Sequence, residues 1–142
     1  MSEGHPILGA WWVEVDVGGN PGPDNLATFG ADGTLVVAVP SPTPAASGAG
    51  HRLEYSTPAL GSWTPAGERE ATMRFVTLGA DENGVAVGSH TVTAYVTVSA
   101  DGTSWSGHFT FEIAGPDGHP AGGVQGTVTA TPIAAGPPRR AG

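Results

Sequence analysis

Four turn signals cut this sequence into short pieces and constrain its fold more than any other feature. Asp32-Gly33, Asn83-Gly84, Asp101-Gly102 and Asp117-Gly118 are pairs favoured in tight hairpin turns, where central residues adopt a positive φ. Between them lie short runs rich in Val, Thr and aromatic residues, with apolar and polar positions alternating. Residues 10–17 (AWWVEVDV), 25–31 (NLATFGA), 34–40 (TLVVAVP), 51–56 (HRLEYS), 70–78 (EATMRFVTL), 85–98, 103–113 and 123–132 read as strands. No stretch carries a helical period. Strands joined mostly by short links make an antiparallel meander, and closing it into a barrel removes adhesive edges. The expected fold class is all-β: a single antiparallel, about eight-stranded up-and-down β-barrel. It covers residues 1–133, with a disordered Gly/Pro/Arg tail over 134–142.

Gly (23) and Pro (13) are abundant enough to suggest low complexity, but they gather between the strands, where turns need them. Residues 41–50 read as a long flexible loop. Residues 57–69 read as a turn-rich connection carrying Trp63, either as a plug in one barrel end or as a lid over a pocket. The absence of Cys excludes disulfides, thiolate nucleophiles and thiolate-bound metals. The absence of Lys excludes Schiff-base and P-loop chemistry. A net charge of −8 repels phosphate backbones, so nucleic acid is not an expected partner. No apolar run is long enough for a membrane span. Met1-Ser2-Glu3 lead into the first strand without a basic segment and an apolar one, so the expected location is cytoplasmic.

Alternation assigns faces, since a strand turns successive side chains to opposite sides. Trp11, Val13, Val15 and Val17 share one face, opposed by Trp12, Glu14 and Asp16. His51, Leu53 and Tyr55 oppose Arg52 and Glu54. Ala71, Met73 and Phe75 oppose Thr72, Arg74 and Val76. His90, Val92, Ala94, Val96 and Val98 oppose Thr91, Thr93, Tyr95 and Thr97. Trp105, Phe109, Phe111 and Ile113 oppose Ser106, His108, Thr110 and Glu112. The inward set is apolar and aromatic with three polar exceptions: His51, Tyr55 and His90. Small inward residues leave volume and rings supply flat contact area, so either a cavity for an apolar ligand or a filled core can result.

Those three polar residues are the candidate catalytic groups. An imidazole can act as acid or base, or donate one hydrogen bond to a ligand carbonyl, and Tyr55 could join such a network. The bland alternative places each histidine near a barrel end, bonded to a backbone carbonyl. Two inward histidines without an inward carboxylate are too few for zinc, so no metal and no cofactor is expected. His5 and His119 neighbour prolines and read as solvated. No GxSxG elbow and no inward carboxylate pair is present.

Gly9-Ala10-Trp11 at the start of the first strand, followed by meander strands, resembles the lipocalin and wider calycin superfamily. With Asp32-Gly33-Thr34, Gly61-Ser62-Trp63 and the late Asp-Gly turns, the chain also resembles small bacterial lipocalin-like proteins. The resemblance spans roughly residues 8–132 and implies a barrel with a ligand-binding lumen. It departs from secreted transport lipocalins: Thr131-Pro132-Ile133 stand where an arginine would stack on the first-strand tryptophan, and no C-terminal helix follows. Thr103-Ser104-Trp105-Ser106-Gly107 is similar to a streptavidin segment, which implies shared architecture rather than biotin.

Three functions remain open. The first is binding of a small, largely apolar molecule, cyclic ones included, in the lumen, with Trp11, Trp63, Met73, Phe75, Trp105, Phe109 and Phe111 as the ligand-binding wall. The second is a natural-product cyclase or isomerase, for example one promoting a cycloaddition, using the same lumen with His51, Tyr55 or His90. The third is a filled barrel that meets a protein partner through its acidic outer face. A homodimer could form through the outward Trp12 and Tyr95.

Overall fold

The computed structural model describes residues 4–44 and 53–134. Its strands are β1 (Gly9–Val17), β2 (Asn20–Pro21), β3 (Asn25–Phe29), β4 (Thr34–Ala38), β5 (Thr43–Pro44), β6 (Leu53–Ser56), β7 (Ala59–Pro65), β8 (Glu70–Ala80), β9 (Ala86–Val98), β10 (Trp105–Ala114) and β11 (Pro120–Pro132). Antiparallel pairing runs β1–β3–β4–β7–β8–β9–β10–β11 and returns to β1 through Trp11↔Pro132 to Val17↔Gly126. The barrel is therefore a closed, eight-stranded, up-and-down one, and its wall has no free edge. The short strands β2 and β5 lie outside the ring, on β1 and β6.

Asp32-Gly33 and Asp101-Gly102 turn the chain as their composition predicts. Gly33 and Gly102 take φ of +90° and +74°, where a side chain would be strained. In each turn the aspartate accepts hydrogen bonds from the backbone N–H and hydroxyl of the threonine two residues on.

One local irregularity decides which side chains enter the lumen. Between Ser56↔Gly79 and Leu60↔Val76, the β6–β7 strand advances four residues while β8 goes back only three. The extra residue is a β-bulge at Thr57-Pro58. Pro58 has no N–H for the ladder, and Thr57 bridges the gap twice. Its backbone N–H donates to Leu78 O, and its hydroxyl accepts from Leu78 N–H, both at 3.0 Å.

The bulge reverses the facing of the β6 residues before it. Glu54 points inward and is buried, whereas Leu53 and Tyr55 are each 41% exposed on the outer face. This corrects the expected facing of 51–56. The outer wall is also less polar than alternation suggests, since Leu26, Val36, Leu60 and Leu78 are exposed on it.

The lumen is packed solid at the end where the chain enters β1. Phe29, Trp63, Trp11 and Trp105 meet there edge to face, with ring centroids 5.9–6.0 Å apart, the arrangement aromatic quadrupoles favour. The Trp11 indole N–H donates to Ile7 O at 2.8 Å, and that of Trp63 donates to Gly30 O at 2.9 Å. Trp63 is thus a buried residue of a wall strand, not part of a loose connection, and it closes this end.

His5 clasps the same end, contrary to the expectation that it is solvated. Its Nδ1 accepts from Ile7 N–H at 3.1 Å, so Nε2 carries the proton and faces the carbonyls of Gly67 and Glu70 at 3.2 and 3.0 Å. His119, by contrast, is exposed and pairs with Asp117 in the β10–β11 turn.

Candidate functional site

Above the aromatic floor the lumen opens into a cavity of about 510 Å³. Short β-branched side chains create that space: Val13, Val15 and Val17 from β1, Val37 from β4, Val92 from β9 and Val128 from β11 all line it. Larger groups enter from two neighbouring regions of the wall, Met73 and Phe75 on β8 and Phe109 and Phe111 on β10. Phe109 stands opposite Gly126, where a Cβ would come within 2.6 Å of its ring, so the missing side chain gives the ring its place. Trp105 joins the two halves. It packs on Trp11 and Phe29 below and borders the cavity above, and its indole N–H is buried with no acceptor among the described residues. Unpaired buried donors are uncommon and costly.

The polar groups are concentrated on one side. Glu54 and Ser56 come from β6, Thr77 from β8 and His90 from β9, with Thr77 directly opposite His90 in the ladder. Asn25 and Thr43 also border the cavity. His90 Nε2 lies 3.1 Å from Glu54 Oε2, and the two side chains are only 16% and 9% exposed. The imidazole packs against Phe111, with ring centroids 4.9 Å apart. Beside the carboxylate, Gly79 matters: a Cβ there would sit 2.8 Å from the same Glu54 oxygen.

The pair is defined by this 3.1 Å separation, and among the described residues the His90 side chain takes part in no hydrogen bond. The same residues contain no group of three or more His, Cys, Asp or Glu placed to hold a metal ion.

Of the residues singled out from sequence, His90, Met73, Phe75, Trp105, Phe109 and Phe111 line this one cavity. Trp11 and Trp63 lie beneath it in the packed end and do not border it. Tyr55 is on the outer face, opposite Ala80, and cannot act in the lumen. His51 lies outside the described residues. Sequence reasoning missed Glu54, which belongs to the site. The available signal was the Thr57-Pro58 break, because counting inward positions back from Trp63 across a one-residue slip brings Glu54 inside.

Closed, antiparallel and up-and-down, the barrel is of the architecture that lipocalin-like proteins share. No family model matches the chain, and no curated protein matches it.

Proposed function

We propose that this protein is a lipocalin-like barrel that binds a small, largely apolar molecule in its lumen. One observation carries the reading: a cavity of about 510 Å³ with valine and phenylalanine walls and a single buried His90–Glu54 pair. Pockets of roughly this size, mostly apolar with a few converging polar groups, are those that enclose drug-sized ligands. The walls would supply affinity by removing apolar surface from water, at about 25 cal/mol per Å². His90 and Glu54 would orient the ligand's one polar group. Gly9-Ala10-Trp11 and the Asp-Gly turns support the lipocalin-like part of the reading.

Native mass spectrometry of protein from its own host, followed by denaturation to release bound molecules, tests this. The expected result is a co-purifying apolar compound or, from an emptied barrel, saturable uptake of Nile red at one per chain. A barrel that carries nothing and takes up no Nile red contradicts the reading. The same lumen supports a second reading, a cofactor-independent cyclase or isomerase, and the His90 imidazole beside the Glu54 carboxylate is what favours it.

A further inference from the structure

The geometry points to a proton-transfer site: the His90 imidazole, beside Glu54, takes a proton from an apolar molecule in the lumen. The substrate class is a small cyclic molecule whose acidic C–H lies between a carbonyl and a C=C bond. This rests on the lumen being the ligand site proposed above.

Three features of the cavity support it. First, Glu54 Oε2 sits 3.1 Å from His90 Nε2, and both side chains are largely buried. A carboxylate in this position both orients the ring and stabilises the imidazolium that forms when it accepts a proton. Second, the surroundings are apolar: Val92 and Phe111 border the cavity beside His90, and a bound ligand would displace most of the water there. A base in such a site acts on a bound C–H with little competition from solvent. Third, Thr77 stands opposite His90, is 7% exposed, and its hydroxyl takes part in no hydrogen bond among the described residues. It is the nearest donor in the ladder for negative charge developing on a substrate oxygen.

The step balances without a co-reactant. The imidazole takes the proton, and the C–H electron pair becomes a C=C bond of a dienolate whose oxygen carries the charge. The imidazolium then returns the proton to a carbon further along the conjugated system. The net change is an allylic shift of one hydrogen, with nothing oxidised or reduced.

Gly79 acts on this site as a positioning residue. A methyl group there would meet Glu54 Oε2 at 2.8 Å, but what it meets is the end of a flexible side chain. Gly79→Ala therefore disturbs the Glu54–His90 pair while leaving the wall in place.

Nitrobenzisoxazole is a suitable probe. A base takes its ring C–H proton, the electron pair forms a nitrile, the N–O bond breaks, and the ring opens to a coloured cyano-nitrophenolate. The chain has no lysine to supply a background amine base. Binding is read separately, by displacement of Nile red.

Wild-type protein should convert the probe with saturation kinetics, and His90→Ala should lower kcat by about 100-fold, within the range of a general base. Glu54→Gln and Gly79→Ala should lower kcat with KM little changed. Added imidazole should restore part of the activity to His90→Gly. A probe that displaces Nile red but is not converted, or is converted equally by His90→Ala, overturns the proton-transfer proposal and leaves the binding reading standing. A probe and a dye that both fail to enter the lumen overturn both.

Discussion

The two ends of the barrel are built from the same eight strands and filled in opposite ways. At the closed end, Trp11, Trp63, Phe29 and Trp105 interlock edge to face, two indole N–H groups reach backbone carbonyls, and His5 ties the incoming chain to the β7–β8 turn. At the open end the corresponding wall positions hold mainly valines, with Phe109 and Phe111 on one side and His90 and Glu54 on another. Eight strands enclose a lumen that side chains can just fill. Residue size at each level therefore decides between a core and a cavity, and the change occurs at Trp105. The packed end can hold the barrel together while the other remains available for a ligand.

The largest effects should come from the packed end. Trp63→Ala removes a fully buried indole and one of the two N–H groups that donate to Gly30 O. It should cost about 3–5 kcal/mol in urea unfolding. Phe111→Ala, whose ring already borders empty space, should cost less than half of that because it forfeits fewer contacts. Equal losses from the two substitutions would erase the distinction between the ends.

His5→Ala comes next. It strips Ile7 N–H of its acceptor and two carbonyls of a donor, and should lower stability by about 1–3 kcal/mol. This clasp was not legible in the sequence, because the partners of His5 lie 62 and 65 residues away and only the closed barrel brings them together. The strands and hairpins, by contrast, announce themselves locally. Period-two alternation places Val13, Met73, His90 and Phe109 inside, and the Asp-Gly pairs place the turns. What failed was counting across Thr57-Pro58, where one inserted residue exchanges Tyr55 for Glu54 in the lumen. Trp63 was hidden for a related reason: Gly61 and Pro65 resemble loop composition, yet β7 continues through both.

Val128→Phe sharpens the contrast from the other side. Overpacking an ordinary core costs about 1–3 kcal/mol, but here the added ring has space to occupy. Thermal unfolding should show a stability change below about 1 kcal/mol, with Nile red uptake falling at least tenfold. A loss as large as that expected of Trp63→Ala would mean that the upper lumen is packed like the lower.

The smallest effect belongs to the β9–β10 turn at the closed end. Hydrogen bonds from the Ser99 hydroxyl, then from the Thr103 hydroxyl and N–H, lower the Asp101 carboxyl from its ordinary 3.8 to about 2. A depressed carboxyl pKa stabilises the fold fully above the ordinary value, and that contribution is lost as pH falls from about 4 toward 2. Carboxyl-carbon NMR should place the Asp101 titration near the bottom of that window. Asp101→Asn should flatten the acid limb of the stability profile slightly while leaving dye uptake unchanged.

The four indole N–H groups make the most direct test, because they sample both ends and the exterior. Trp11 and Trp63 are bonded in the packed end, Trp12 donates to Asp24 on the surface, and Trp105, with no acceptor among the described residues, borders the cavity. Titration with toluene, followed by indole ¹H–¹⁵N NMR, should move the Trp105 resonance most and saturably, with Trp63 and Trp12 unmoved. If saturating toluene leaves Trp105 in place, or shifts only Trp12, apolar molecules do not enter this lumen and the account is wrong.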